Sequence, residues 1–221
     1  MSEALTMDDP PGAPTEGAVI TGLEAIALLA GRVPVAWPWG ATIGAPGDVS
    51  TLRTSLKSFP VVAKAEGLAH RNHVGAVWTG VADAEEAELV ARAFGAHFGY
   101  PLSFSEQIAH DGEFILGARR TAGDHVLCLV GAGGTGVGER VRMLLSPADA
   151  VAMRTAAAEF ASLVAEVTEL VEALSALQRV LLDDADRVIA AIDLNPVVFR
   201  RGSGKLYALD VKVFLNRAGG A

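Results

Sequence analysis

Apolar and polar positions follow two different periods along this chain, and the changes of period mark out its elements. Ala18 to Ala30 carries apolar residues at helical spacing and is closed by Gly31, with Pro34 just beyond. Val33 to Trp39 is apolar, aromatic and broken by prolines, which predicts a short edge strand running into a loop. Asp48-Val-Ser-Thr51 can cap a helix running toward Lys57, because short polar side chains accept from the first N–H groups of a helix. Pro60 then opens a compact strand, Val61-Val-Ala-Lys64. Val74 to Thr79 predicts a second strand. Asp83 to His97 has helical period with acidic residues at its start, where the helix dipole favours them.

Three more strands are predicted at Pro101–Ile108, Glu113–Arg119 and His125–Val130, followed by a glycine-rich turn from Gly131 to Gly138. Ser146 to Leu182 reads as long helix opened by Ser146-Pro147. Val188–Phe199 and Lys205–Leu215 form a terminal hairpin around Gly202-Ser203-Gly204. There is no internal repeat. Strands mixed with helices and closed by an antiparallel pair predict an α+β, or mixed α/β, fold.

Bulk properties narrow the function classes. The chain has 221 residues, enough for one or two domains with a real core. No apolar run reaches the roughly 20 residues that a membrane helix needs. Residues 1–17 are polar, acidic and rich in Pro and Gly, which predicts a mobile leader rather than a signal peptide, and a cytoplasmic protein. A net charge of −8 argues against a broad nucleic-acid surface, which requires clustered cations. It leaves room for a nucleotide, where a few donors and a metal suffice. The single Cys128 rules out an internal disulfide and a multi-cysteine metal site, and its apolar surroundings predict a buried thiol.

The candidate chemistry lies in scattered polar residues. Asp193 and Asn195 are two apart on a strand, so both project from one face, and Asp210 returns on the next strand. Such hard oxygens suit magnesium bound through phosphates; the alternative is that they are strand-end and turn residues. Lys64 ends an apolar strand, as a phosphate-binding cation or as a snorkelling surface lysine. Glu106 and Glu113 flank the turn His110-Asp-Gly112 and could accept from an adenine-ribose unit or be solvated charges. His70 and His73 are three apart with no third ligand nearby, which makes zinc a poor fit. The glycine run could offer N–H groups to an anion, yet it has neither the Gly-Lys-Ser/Thr of a Walker loop nor the acidic partner of a dinucleotide fingerprint.

In order and spacing these pieces resemble the ATP-grasp domain of NDP-forming acyl-CoA synthetases, relatives of the succinyl-CoA synthetase β subunit. Phe59-Pro-Val-Val-Ala-Lys64 resembles the family's Pro-Val-Val-x-Lys strand. His70-Arg-Asn-His-Val-Gly-Ala-Val77 is similar to its His-Lys-Ser/Thr-Asp-Val-Gly-Gly-Val segment. Ser105-Glu106 through Glu113-Phe-Ile-Leu-Gly117 is similar to its Gln-Glu … Glu-Leu-Ile-Val-Gly stretch, in a frame that reaches Gly131, Gly133 and Gly134. Ile192-Asp-Leu-Asn-Pro-Val197 and Ala208-Leu-Asp-Val-Lys212 resemble the Asp-Ile-Asn-Pro … Ala-Leu-Asp-Ala-Lys ending.

The resemblance implies an ATP-grasp fold with nucleotide between two subdomains: a first lobe over 18–104, interleaved, and a second over 105–221 with a helical insert at 146–182. It implies that Lys64 binds nucleotide phosphates, that Glu106 meets the adenine-ribose hinge, and that Glu113 lies on the nucleotide's ribose or metal side. Asn195 and Asp210 would hold Mg2+, supported by Asp193, and His70 would carry phosphate between ATP/ADP and a partner. That partner would be a CoA-binding α-type subunit in an oligomeric, ADP-forming ligase acting on a small carboxylic acid or acyl-CoA. The chain departs from the family at Arg71 and His73, at Thr121-Ala-Gly-Asp-His125, and at Gly138, where a glutamate is usual. Those changes motivate two other expectations: a stand-alone ligase making an acyl phosphate for an amine, and a non-catalytic nucleotide-binding or scaffold subunit.

Overall fold

The period-two segments assemble into two antiparallel sheets in a computed structural model, which describes residues 16–67, 75–121, 123, 125–133, 140–161 and 163–216. The larger sheet runs β1 (Glu16–Thr21), β11 (Val211–Asn216), β9 (Ile189–Phe199), β6 (Phe114–Arg120), β7 (Val126–Ala132) and β8 (Val141–Leu145), with β10 (Leu206–Ala208) also paired to β9. The smaller sheet runs β2 (Gly40–Ile43), β5 (Leu102–Glu106), β3 (Val61–Ala65) and β4 (Val77–Val81).

Alternation decides which face of each sheet is buried. In the smaller sheet Val61, Ala63, Ala65, Leu102 and Phe104 point inward against α3 (Ala84–Phe98) and α2 (Leu52–Ser55). Their neighbours Val62, Lys64, Ser103 and Ser105 share the opposite face, because Lys64 pairs with Ser103 and Val62 with Ser105. The start of α3 is fixed by Asp83, whose carboxylate accepts from the N–H groups of Glu85 and Glu86, both at 2.9 Å. Gly40 has a steric reason to be glycine: a Cβ there would stand 2.5 Å from the carbonyl oxygen of Phe104.

In the larger sheet Leu116, Ala118, Val126, Cys128, Val130, Ile192, Leu194, Val211 and Val213 form the inner face. It is covered by α5 (Val164–Leu182), α4 (Ala150–Ala157) and α1 (Gly22–Leu29). Leu170, Leu174, Leu177 and Leu181 make a fully buried stripe along α5, each burial contributing about 1.5–3 kcal/mol. Arg120 fastens the far end of this helix. It donates to the carbonyls of Leu181 and Asp184 (2.7 Å to the latter) and to that of Ile189 at 3.0 Å, so helix end and strand start share one side chain.

The structure departs from the sequence reading at Val33–Trp39, which holds a single bridge from Ala36 to Tyr207 while strand β2 begins only at Gly40, and in four further places. Residues 16–21 form a strand paired with β11, and helix begins only at Gly22; both elements pack with the larger sheet, not with the first lobe to which the sequence boundary assigned them. The helical run from 146 to 182 is two helices, because Glu166 reaches back to the N–H of Leu163 at 3.3 Å and starts a second one. β8 lies in a stretch given no element, since Val-Arg-Met-Leu-Leu has no clean alternation. The last strand is interrupted at Leu209-Asp210, where Leu209 donates to the Pro196 carbonyl at 2.9 Å. Cys128 is buried, and burial pushes its thiol up to about 11. Among the described residues no helix is long and apolar enough to cross a membrane.

Candidate functional site

The outward face of the larger sheet carries the acidic candidates. Asp193, at the middle of β9, pairs laterally with Lys212 on β11 and with Gly117 on β6. Asn195 lies two residues further along β9, and its N–H donates to the Asp210 carbonyl at 3.3 Å. The interruption before β11 therefore holds Asp210 beside Asn195 and on the same face as Asp193 and Lys212. Asp210 also accepts from its neighbour's amide, Val211 N–H, at 2.9 Å.

Burial and neighbouring charges set the electrostatics of this group. Burial pushes the Asp193 carboxyl above the usual carboxylate range; Lys212 pulls it down, and Asp210 pushes it up again. Two carboxylates held together in a partly buried place repel each other, and a divalent ion relieves that repulsion. Among the described residues no three His, Cys, Asp or Glu side chains gather into a metal cluster. Two carboxylates and one amide oxygen therefore fit an ion that takes its other ligands from phosphate and water, as magnesium does.

Lys64 comes to this group from the smaller sheet. Its ammonium donates to the carbonyl of Leu209 at 2.6 Å, immediately before Asp210. Lys64 and Asp210 both line a cleft of about 370 Å³ between the sheets. One wall is the polar face of the smaller sheet, with Thr42, Ser103 and Ser105. The other is apolar: Leu23 and Ile26 of α1, with Trp37 and Pro38.

Glu106 and Glu113 are placed differently. The Glu106 carboxylate is ion-paired with Arg200, whose guanidinium also donates to Tyr207 Oη at 2.9 Å and lies 5.3 Å from that ring's centre. This pair ties the end of β5 to the end of β9. Glu113 stands 3.9 Å from His110 Nε2, and its carbonyl accepts from Gly133 N–H at 2.8 Å. A Cβ on Gly133 would lie 2.9 Å from that of Glu113, so only glycine allows this approach. Neither glutamate lines the cleft. His70, Arg71, His73 and Gly138 lie outside the described residues.

Sequence reasoning missed Lys212, Arg200 and the apolar wall. Lys212 carried a signal, since it follows Asp210 by two residues and must share its face. Arg200 and Trp37 carried none, because their partners are far away in sequence.

Two antiparallel sheets closing on a cleft, with a lysine from one and carboxylates from the other, define the ATP-grasp fold. Comparison with protein-family profiles and with curated protein sequences returns no match. Solved structures do match. PH1788 from Pyrococcus horikoshii aligns at a TM-score of 0.73 and 19% identity, over 90% of this chain and 92% of that one. The dinucleotide-forming acetyl-coenzyme A synthetase 1 of Ca. Korarchaeum cryptofilum aligns at 0.66 and 20%, over 87% and 91%. That structure holds coenzyme A and Mg-AMPPCP, with a phosphohistidine segment pointing towards its nucleotide-binding site. ATP citrate lyase from Methanothrix soehngenii aligns at 0.66 and 20%, over 89% of this chain and 50% of that chain. At these identities the likeness is one of fold.

Proposed function

We propose that this chain binds Mg-ATP between its two sheets and transfers the terminal phosphoryl group, as the grasp component of an ADP-forming, acyl-CoA synthetase-like ligase. The observation that carries this reading is the meeting of Lys64 with the Leu209-Asp210 turn: a cation from one sheet stands beside carboxylates from the other. Phosphoryl transfer asks a protein mainly for positioning and charge neutralisation, and this arrangement supplies both.

Lys64 would hold the phosphates, exchanging its bond to a carbonyl for bonds to phosphate oxygens. Asp193, Asn195 and Asp210 would hold magnesium, and Lys212 favours the ionised form of Asp193 that such binding requires. Magnesium, when bound, neutralises charge on the phosphate oxygens. Glu113 and the Glu106 end of β5 would meet ribose and adenine.

Two acceptors of the phosphoryl group follow from the residues. In the first reading His70 takes it and passes it to a separate CoA-binding subunit, in line with the phosphohistidine segment of the Ca. Korarchaeum cryptofilum enzyme. In the second a carboxylic acid takes it directly, as in a stand-alone ligase. The cleft opening onto Lys64 favours the second. Titration calorimetry of the purified chain tests what both share. Mg-ATP should bind, and Asp210→Ala should weaken that binding about a hundredfold; no heat with the unaltered chain would sink both readings together.

A further inference from the structure

We propose that a cavity on the helical side of the molecule, between the end of α1 and the flank of α5, binds a hydroxylated phosphate monoester. The cavity shares no lining residue with the cleft beside Lys64, so it is a second site whether or not a nucleotide occupies the first.

Two well-anchored walls form it. Gly31, at a φ of 74°, ends α1 in the left-handed region that glycine favours. The Arg32 N–H then donates to the Leu29 carbonyl at 3.0 Å, and Val33 is buried in the core under the larger sheet. The backbone that carries Arg32 is therefore held on both sides. The other wall is α5, where Val171, Ser175 and Arg179 follow one another at four-residue spacing along one stripe, with Glu172 beside them. The space between the walls is about 510 Å³, well inside the range of about 300 to 1,000 Å³ usual for small-molecule sites.

Charge names the ligand. Among the described residues Arg53, Arg92, Arg120, Arg142, Arg200 and Arg201 each form an ion pair with a carboxylate. Arg32 and Arg179 form none, and both line this cavity. Two guanidiniums facing one space repel each other until an anion joins them. Glu172 does not take that part, because about 10 Å of helix separates it from Arg179 and it makes no ion pair with Arg32. The Ser175 hydroxyl donates at 3.1 Å to Met153 Sδ, a weak acceptor, and so can turn to a stronger one. A guanidinium fork matches two oxygens of a tetrahedral phosphate, and a monoester has three oxygens to share between two forks. The body of the ester would rest against Val33, Pro34 and Val171, with its hydroxyls donating to Glu172.

Titration calorimetry of the full chain with glucose 6-phosphate in magnesium-free buffer tests this. The ester should bind with a Kd below about 1 mM. Arg32→Gln and Arg179→Gln should each weaken it about tenfold or more, as loss of a charge-assisted hydrogen-bond donor does. Both side chains are exposed, so these variants should melt as the unaltered chain does. Arg154→Gln removes an exposed arginine outside the cavity and should leave ester binding within about twofold, as should Asp210→Ala in the other cleft. Glucose should not bind, and inorganic phosphate should bind more weakly than the ester. Absence of ester binding, unchanged binding in the Arg32→Gln/Arg179→Gln double variant, or its loss in Asp210→Ala would each overturn the proposal. So would inorganic phosphate binding as tightly as the ester, since the walls around the body would then contribute nothing.

Discussion

The carboxylate pair on the larger sheet and the Glu106–Arg200 end of the molecule use charge in opposite ways. At the Glu106 end, Glu106 faces Arg200 and Asp111 faces Arg201, so each charge is cancelled by its neighbour. At the other end Asp193 and Asp210 share one face of the sheet, and burial makes their company costlier. Opposite charges in contact stabilise a fold; like charges held together need a ligand to complete them. The family resemblance treats all of these residues as one nucleotide site. The geometry divides them into carboxylates paired with arginines and two carboxylates set side by side on one face of the larger sheet.

The largest effect that would break this contrast is at Lys64 and Asp210. Lys64→Ala and Asp210→Ala should each weaken Mg-ATP binding about a hundredfold, the scale of losing a charged partner of a bound ligand, measured by calorimetry. Wild-type affinity in either variant would leave no distinction to explain.

The Glu106–Arg200 pair should respond more mildly and as a unit. Glu106→Gln and Arg200→Gln should lower nucleotide affinity by similar factors, about three- to tenfold, with the double variant no worse than either single one. A large loss in Glu106→Gln alone would mean that Glu106 touches the nucleotide itself.

A third change separates function from stability. The folded protein raises the pKa of Asp193, so it binds that proton more tightly than the unfolded chain does. The favourable linkage is complete below the unfolded carboxyl's pKa and is lost as pH rises through the raised one. Asp193→Asn should therefore raise Tm at pH 7 in metal-free buffer, and the gain should fade as the pH is lowered. Calorimetric melts across pH 4–7, a window set on the ordinary carboxylate pKa of about 4, should follow this course while Mg-ATP binding falls. A drop in Tm at pH 7 would show that Asp193 is held by favourable partners.

The smallest effect concerns Cys128. Buried, with its thiol pushed up to about 11, it should resist iodoacetamide in the native protein and react fully in denaturant. Rapid native labelling would place it elsewhere.

Much of this was legible in the chain, where period and position agree. The strands at β3, β6, β7 and β9 and helix α3 fall within a residue or two of their sequence limits, because each has an unbroken apolar pattern. Asp193 and Asn195 shared a face by period alone. Placing Asp210 beside them required the interruption at Leu209, which depends on cross-strand register that no local pattern encodes. The pairing of Glu106 with Arg200 spans 94 residues and left no local trace. The cleft draws its lining from α1, the Trp37 loop, six strands and the turn before β11, so no single stretch announces it.

One strand connects the two ends. β9 carries Asp193 and Asn195 at its centre, and Arg200 follows its last residue. From Asn195 to Arg200 the backbone spans about 16 Å at 3.3 Å per residue. It is braced on both sides by paired strands, and its root is pinned by Arg120. Such a segment behaves as a stiff rod, not as a tether. Glu106, paired with Arg200, and the Asp193–Asn195 pair are therefore held at a set spacing along one braced strand.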